Sequence, residues 1–332
     1  MDRIELAHGG GGRLTRDLIR DEIVSRFGDG LQGLPDAATL DVPAGGIVFT
    51  TDSYVVQPLE FPGGNLGHLA VHGTVNDLAV CGGAPMWLSL GLILEEGLPL
   101  DVFRRVLEAV KTAAADCGVT VVTGDTKVVP HGLCDGLYAN TAGIGLRLPG
   151  FSLGVNRLRS GDRVLVSGPV ADHGFAVLAA RESIAVRNGP RSDTAPVHRL
   201  VRACQAHAPA IRFMRDPTRG GLATVLNELV EDRPVGIRLD EPAIPVSAGA
   251  RAVSELLGLD PLHVASEGRM VLVCAPEVAD AVLAAWRALP EGTGAACIGE
   301  VTTDAGRVVL ETLTGGRRLV DVPRGELLPR IC

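Results

Sequence analysis

Strand-forming runs alternate with segments of helical periodicity along most of the chain, and this alternation limits the fold more than any other feature. Apolar side chains recur every three to four positions in the segments 66–81 and 101–117, which predicts amphipathic helices. Runs rich in residues that suit a pleated surface lie at 47–51, 87–94, 119–123 and 137–146. Together these elements predict a first lobe of the α+β class.

The periodicity breaks near residues 149–160, where Pro149, Gly150 and Gly154 interrupt it, and then resumes. A further helix is predicted after Gly221, with strands at 163–166, 270–274, 298–301 and 307–311. A chain of 332 residues also exceeds the length at which one hydrophobic core usually stops growing. We therefore expect a glycine-rich segment with a helix over 1–40, one lobe over 41–150, a second over 158–322, and a mobile tail over 323–332.

Charge and composition exclude several classes of protein. The net charge of −8, with no clustered basic stripe, argues against a nucleic-acid partner. Apolar runs fall far short of the roughly 20 residues of a membrane span, and the first residues do not resemble a signal segment, so a cytoplasmic protein is expected. Seven cysteines without a C-x-x-C pair argue against a disulfide framework and against a zinc ribbon.

Five aspartates stand near predicted strand ends or in glycine-rich turns. Mg²⁺ takes oxygen ligands and usually binds substrate phosphates together with one or two carboxylates, so such a set suits a metal-bound triphosphate. Any one of these residues is explained more simply as a helix or turn cap. Only the whole set indicates a metal site: Asp36, Asp52, Asp77, Asp125 and Asp216.

Two glycine clusters could bring backbone N–H groups close to a phosphate. One is the run Gly9, Gly10, Gly11 and Gly12, and the other is Gly220–Gly221, which precedes a predicted helix and follows Arg219. Four glycines alone are more often a flexible loop. The common nucleotide fingerprints, such as G-x-x-x-x-G-K-[ST] and G-x-G-x-x-G after a strand, do not occur.

The chain ends in a cysteine, Cys332, after ten residues that have no usable periodicity. A prenylation motif requires three residues beyond the cysteine, so that explanation fails. Ten extended residues reach about 33–36 Å, which would let the thiol enter a site elsewhere on its own subunit or on a neighbour. A terminal cysteine present by chance is the alternative.

These motifs, taken together, resemble the HypE hydrogenase maturation proteins and, more broadly, the PurM-like superfamily of aminoimidazole ribonucleotide synthetase, selenophosphate synthetase and thiamine-monophosphate kinase. The resemblance extends over essentially the whole chain. It rests on six segments: His8–Gly12, Thr50–Tyr54, Val71–Ala79, Gly124–Lys127, Arg215–Gly221 and Pro329–Cys332. It implies a two-domain PurM-like fold with an N-terminal mixed sheet that forms a dimer core, a C-terminal α/β sandwich and a flexible tail.

The resemblance also implies a function. A HypF-like carbamoyltransferase would place a carbamoyl group on Cys332, and this chain would use ATP and Mg²⁺ to dehydrate it to a thiocyanate. The cyano group would then pass to a HypC–HypD-like iron scaffold that builds the cyanide ligands of a nickel–iron hydrogenase. A homodimer with ATP bound in clefts beside its interface is implied too, with the 41–150 domain providing both.

Residue roles follow the same resemblance. The catalytic residues would be Cys332, His72, Glu267 and Lys127, with the five aspartates as metal ligands. Cofactor contacts would come from Gly9, Gly10, Gly11, Gly12, Asp52, Asn76, Asp77, Asp125, Thr126, Arg219, Gly220 and Gly221. The segment Asp36-Ala37-Ala38 departs from the superfamily, because thiamine-monophosphate kinase has two aspartates there, and this weakens the assignment of Asp36.

Three other functions were weighed. Selenophosphate synthetase requires a cysteine near the N-terminal glycine loop, whereas the first cysteine here is Cys81. A small-molecule kinase of the thiamine-monophosphate kinase type has no use for a terminal cysteine. A non-catalytic scaffold that only carries a carbamoylated tail would not consume ATP.

Overall fold

The structure, a computed structural model, describes residues 12–18, 38–40, 45–322, 325, 328, 331 and 332. The predicted phosphate-binding residues Gly9, Gly10 and Gly11 and the predicted metal ligand Asp36 therefore lie outside the described residues. Within the described ranges, none of the helices combines the length and the apolar character that crossing a bilayer requires.

Eight α-helices can be assigned in the described part of the chain. They are α1 (Arg13–Leu18), α2 (Leu66–Val80), α3 (Leu100–Cys117), α4 (Asp172–Arg181), α5 (His198–Ala203), α6 (Gly221–Val230), α7 (Ala248–Leu257) and α8 (Ala279–Arg287).

The strands of the described ranges are β1 (Ala38–Leu40), β2 (Ile47–Tyr54), β3 (Glu60–Phe61), β4 (Gly64–Asn65), β5 (Gly83–Glu95), β6 (Thr120–Val129), β7 (Leu137–Arg147), β8 (Arg163–Val166), β9 (Ile211–Arg215), β10 (Gly236–Asp240), β11 (Val271–Cys274), β12 (Ala296–Thr302), β13 (Val308–Glu311) and β14 (Arg317–Leu319).

The first sheet is a mixed five-stranded sheet in the order β1-β2-β7-β5-β6, in which only the β5–β6 pair is parallel. Helix α2 covers one face of this sheet, and α3 packs on α2. Gly143 on β7 permits this approach, because a Cβ there would lie 2.6 Å from Cγ2 of Thr74 on α2. Helix α2 begins at Asn65, whose side chain accepts hydrogen bonds from the backbone N–H groups of Gly67 and His68.

Three predicted metal ligands lie inside helices or strands, whereas the sequence predicted them at strand ends or in turns. Asp125 lies inside β6 rather than in a turn, Asp52 lies inside β2, and Asp77 lies within α2. The apolar run of β6 ends at Thr123, but its backbone continues to pair with β5 as far as Val129. An edge strand needs no buried side chains for this pairing, so the apolar pattern stops before the strand does.

The second sheet has seven strands in the order β14-β13-β10-β12-β8-β11-β9, and β10 and β13 form its parallel pair. Helix α6 packs on one face through Leu222, Leu226 and Leu229. Helices α5 and α8 pack on the other face, where Trp286 is completely buried. The expected α+β fold with an α/β second lobe is therefore what this chain forms.

The two lobes share a core. Ala79 and Val80, at the end of α2, belong to the apolar cluster that contains Trp286 of the second lobe. Asn76, one turn earlier, is fully buried and donates hydrogen bonds to the carbonyls of Ala195 and Glu267, both over 3.0 Å. Its own side-chain oxygen accepts from the N–H of Val197 over 2.8 Å. The first lobe thus holds a loop of the second in place.

Candidate active site

The end of the chain lies inside the molecule. Cys332 is 8% exposed and Ile331 is 5% exposed. Arg219 donates a hydrogen bond to the sulfur of Cys332. Burial raises the pKa of this thiol to about 12, and the charge of Arg219 only partly offsets the rise. A thiolate is therefore disfavoured while the tail occupies this position.

Glu267 is the acid whose charge raises the pKa of the Cys332 thiol most. It is 2% exposed, and its Oε1 has no hydrogen-bond partner among the residues that the structure describes. Burial raises the pKa of Glu267 well above its usual value, and the carboxylates of Asp216, Asp52 and Asp193 add to the rise. A carboxyl group of this kind keeps its proton to a higher pH than an exposed glutamate does, and once ionised it is the stronger base of the two.

Several contacts hold Glu267 in position. Its backbone N–H donates to Oδ1 of Asp193 over 3.0 Å, and its carbonyl accepts from Asn76. The next residue must be glycine, because a Cβ on Gly268 would lie 1.8 Å from the carbonyl oxygen of Asp193. The Ser266-Glu267-Gly268 segment is thus clamped from both lobes.

Arg219 connects the terminal cysteine to the first sheet. Its guanidinium lies 3.8 Å from Oδ1 of Asp52 on β2. The two residues that follow it, Gly220 and Gly221, have positive φ angles of 74° and 60° and begin α6. A Cβ on Gly221 would lie 2.7 Å from the carbonyl oxygens of Leu262 and Val264, so the close packing of this helix start requires glycine.

A group of acids surrounds this cationic residue. Tyr54 is buried, and its pKa is raised well above the usual value by burial and then by Asp52 and Asp77, which places both carboxylates near one hydroxyl. Asp77 accepts a hydrogen bond from Thr50 over 2.9 Å. Asp52 and Asp216 both act on Glu267. The structure thus brings together five predicted residues, Asp52, Asp77, Asp216, Glu267 and Arg219, with Cys332.

The acidic residues of this site suit a magnesium ion. The described ranges contain no group of three or more His, Cys, Asp or Glu side chains arranged as a complete metal site. Mg²⁺ does not require one, because it commonly binds one or two carboxylates and takes its other ligands from phosphates and water. Acids that raise the pKa of Glu267 and of Tyr54 create the excess negative charge that a cation would neutralise.

His72 and Asn76 have surroundings of their own. Nδ1 of His72 lies 3.2 Å from the hydroxyl of Thr194, and burial, His68 and His198 lower its pKa to about 3. The ring is therefore neutral at pH 7 but a weak base. The side-chain amide of Asn76 is fully used in its hydrogen bonds to the backbone of Ala195, Val197 and Glu267. The catalytic role of His72 and the cofactor contact of Asn76 stay predictions.

Asp125 and Lys127 lie on the other face of the first sheet from Asp52 in the single chain. In the strand register, Asp125 lies opposite Gly91, Gly91 opposite Asn140, and Asn140 opposite Ser53. Residues opposite each other on neighbouring strands share a face of the sheet, and Ser53 lies on the other face from its neighbour Asp52. Asp125 therefore lies on the face opposite to Asp52. Asp125 and Lys127 form an exposed ion pair of 3.2 Å at a cavity of about 330 Å³. Ser53, Ile93, Tyr138 and Asn140 also line this cavity.

The sequence analysis missed three groups at the site. Tyr54 directly follows the Thr50–Ser53 motif, and the alternation along β2 could have placed it on the same face as Asp52. Asp193 and His173 carry no such signal, because each is a single polar residue in a segment without a motif. Both are buried near the terminal residues or Glu267.

Comparison with known proteins agrees with this geometry. Residues 35–146 match the family model for the N-terminal domain of AIR synthase related proteins, and residues 159–311 match that for the C-terminal domain. Carbamoyl dehydratase HypE of Azotobacter vinelandii is 48% identical over 99% of this chain and 97% of its own length. The chain belongs to the HypE family of AIR synthase related proteins.

Solved structures of HypE have the same fold. HypE in complex with ATP is 43% identical, with a TM-score of 0.83 over 99% of this chain and 100% of that one. HypE in the HypE–HypF complex is 39% identical, with a TM-score of 0.87 over 92% of this chain and 99% of that one. The predictions of a PurM-like fold and of membership in the carbamoyl dehydratase family are confirmed.

Proposed function

We propose that this chain uses ATP to remove water from a carbamoyl group on its own Cys332, which yields a thiocyanate whose cyano group becomes a cyanide ligand of a nickel–iron hydrogenase. One observation carries the proposal: the terminal sulfur is buried beside Arg219, and the charges of Glu267 and of Asp52 on β2 act on its pKa. Membership in the HypE family supports the same chemistry.

The reaction balances as two steps. The thiocarbamate oxygen attacks the γ-phosphorus of ATP, so an O–P bond forms and ADP leaves. The C–O bond then breaks with loss of phosphate, while the nitrogen gives up its two protons and the C≡N bond forms. Phosphorylation is needed because oxygen leaves far more readily as phosphate than as hydroxide. Glu267 is the group proposed to take a nitrogen proton, with His72 as the second predicted base.

The ATP-bound HypE structure supports nucleotide binding by this chain. Asp52, Asp77 and Asp216 are the proposed holders of Mg²⁺, which would supply charge neutralisation on the phosphates. The N-terminus of α6, with Gly220 and Gly221 at its start, carries the partial positive charge that a helix start presents to an anion. Arg219, already at the sulfur, is placed to contact the transferring phosphoryl group.

Transfer of a carbamoyl group to Cys332 by another protein requires a different tail position, since the sulfur is 8% exposed here. We infer that the tail leaves its site for a HypF-like carbamoyltransferase, as the HypE–HypF complex suggests, and again for a HypC–HypD-like acceptor. The proposed function thus needs two positions of the tail: the buried position described above, and an exposed position in which the tail is mobile, as predicted from the sequence.

A homodimer is proposed as the functional unit. The face of the first sheet opposite to α2 is apolar, with Phe49 and Trp87 39% and 41% exposed and Leu146 47% exposed. Exposed apolar patches of this kind mark protein interfaces. Covering this face with a second copy would also bury the cavity that Asp125 and Lys127 line, and would place both residues at the interface.

The decisive experiment incubates carbamoylated protein with ATP and Mg²⁺ and follows the C-terminal peptide by mass spectrometry. The peptide should lose the mass of one water as ADP and phosphate appear, and Cys332→Ser, carried through the same carbamoylation reaction, should show neither change. Formation of ADP with no free phosphate and no mass change in the peptide would indicate a kinase instead. A stable carbamoylated tail with no ATP consumption would indicate a scaffold.

A further inference from the structure

His173, in the first turn of α4, is bonded to the end of the chain. Its Nε2 lies 2.8 Å from the carbonyl oxygen of Ile331, and its Nδ1 lies 2.8 Å from the hydroxyl of Ser192. The side chain is completely buried. A buried imidazole is therefore committed to the backbone of the residue that precedes the reactive cysteine.

The hydrogen-bond partners determine which nitrogen carries the proton. A carbonyl oxygen only accepts, so Nε2–H donates to Ile331. Nδ1 must then accept the Ser192 hydroxyl proton, and the Ser192 oxygen accepts in turn from the N–H of Thr194 over 3.1 Å. Burial lowers the pKa of His173 to about 4, so the ring is neutral at physiological pH and this arrangement is the stable one.

Apolar contacts surround the same carbonyl. The Ile331 side chain belongs to a cluster with Phe61 and Val177, and the Phe61 ring meets the His173 ring edge-on at a centroid distance of 5.3 Å. Leu328 packs against this cluster. Gly174 permits the close approach of α4 to Val264, because a Cβ there would lie 2.5 Å from Cγ1 of Val264. We call His173, Gly174, Val177 and Phe61 the tail site.

A buried histidine that only satisfies its own polar atoms is the simpler explanation. Such a residue bonds to neighbours within the fold, as the Nδ1 of His173 does with Ser192. The second partner of His173 is instead the penultimate residue of the chain, which belongs to no helix or strand. This bond therefore joins the core directly to the end of the chain.

We propose that His173 is the positioning residue of the tail site, which fixes the Ile331 carbonyl and thereby the sulfur one residue later. The inference deepens the proposed function and rests on it for its purpose. Residue 331 is recognised in two ways, by its carbonyl through a hydrogen bond and by its side chain through an apolar pocket. The sulfur then faces Glu267 and Arg219.

Thiol accessibility tests the docked state without ATP or carbamoylation. The protein is treated with iodoacetamide at pH 8, and alkylation of Cys332 is read from the mass of the C-terminal peptide. His173→Leu should speed alkylation about tenfold, because a lost buried hydrogen bond of about 1.4 kcal/mol shifts the docking equilibrium by that factor. His173→Gln retains an N–H donor and should recover part of the protection, and His131→Leu, an exposed histidine, should leave the rate unchanged.

A second variant separates positioning from folding. Ile331→Asp removes the apolar anchor at the terminus, where the fold is not at risk, and should expose the sulfur by itself. If His173 acts only through the tail, then adding His173→Leu to Ile331→Asp should not speed alkylation further. Additive effects of the two changes, or unchanged alkylation in either single variant of the folded protein, would overturn the proposal.

Single-turnover dehydration supplies the functional readout. Carbamoylated His173→Leu should show a lower maximal rate with an unchanged half-saturating ATP concentration, and His173→Gln should restore part of the rate. A raised ATP requirement with a normal maximal rate would instead assign His173 to the nucleotide site. If alkylation responds as expected but no variant, nor the unmodified sequence, ever dehydrates its tail, the tail site stands and the proposed function fails.

Discussion

The side-chain amide of Asn76 donates a hydrogen bond to the backbone carbonyl of Glu267 over 3.0 Å. This bond joins helix α2 of the first lobe to the loop of the second lobe that carries the proposed base. The same side chain also binds the backbone of Ala195 and Val197. The position of Glu267 therefore depends on the packing of the two lobes against each other.

Replacing Asn76 by leucine should destabilise the protein. Three buried backbone groups would lose their partners, at about 1–3 kcal/mol for each group left unsatisfied, so we expect a loss of at least about 3 kcal/mol. Urea unfolding measures it, with Asn156→Leu, an exposed asparagine, as the matched control expected to change stability by about 0.5 kcal/mol or less. A loss no larger than that of the control would mean that Asn76 does not hold the lobes together.

The raised pKa of Glu267 makes stability depend on pH. The folded state favours the neutral acid, so its contribution is fully present below the ordinary value of 4.5 and is lost as the pH rises through the folded pKa. Glu267→Gln cannot ionise. Its free energy of unfolding, relative to that of the unmodified protein, should therefore increase with pH above 4.5, by about 1.4 kcal/mol for each unit by which the pKa is raised.

Unfolding should be measured at several pH values in buffer free of metal and nucleotide, with Glu255→Gln, an exposed glutamate on α7, as the control. The Glu267→Gln protein should also lose most of its dehydration activity, so a more stable but inactive variant is expected. A stability difference that stays constant with pH would show that Glu267 ionises normally.

The sequence predicted the elements of the fold better than it predicted the positions of the site residues. Helix α3 was found because its apolar side chains repeat and Gly118 ends it in the left-handed conformation with φ of 67°. Asp125 was misplaced because backbone pairing extends β6 beyond its apolar run. Periodicity reports a face that is buried along a whole element, and it says nothing of residues that pack singly.

The C-terminal tail shows that residues which pack singly cannot be predicted from periodicity. Residues 323–332 have no period, yet Ile331 and Cys332 are buried, because each fits a site formed by residues far away in the sequence. His173 was missed for the same reason, since its partner lies 158 residues away. Contacts between single residues at long separation are determined by the assembled fold and leave no local pattern.

The apolar face of the first sheet predicts a dimer that one charge should break. Phe49, Ile144 and Trp87 form a row across β2, β7 and β5 on this face. Trp87→Asp should weaken the dimer at least about 30-fold, since removal of a central aromatic residue from an interface costs about 2 kcal/mol or more. Sedimentation velocity over a range of concentrations measures this, and Leu256→Asp, at an exposed leucine on α7, should leave the dimer intact. A monomeric unmodified protein would refute the dimer itself.

The location of Asp125 predicts how two inactive variants should behave when mixed. Within one chain Asp125 lies on the sheet face opposite to Asp52, so we expect it to serve the active site of the second copy. Asp125→Ala and Cys332→Ala should each be inactive alone. In a mixed dimer, the intact Cys332 of the first variant would meet the intact Asp125 of the second, which restores one of the two sites.

After the two variants are unfolded and refolded together in equal amounts, about half of the dimers are mixed, so dehydration should reach about a quarter of the yield of the unmodified protein. A mixture of Asp125→Ala with a chain that carries both Asp125→Ala and Cys332→Ala is the control and should stay inactive. A site built within one subunit cannot be rescued in this way. A mixture that remains inactive although mixed dimers form would therefore assign Asp125 to the site of its own subunit. Full activity of Asp125→Ala alone would show that Asp125 does not belong to the site.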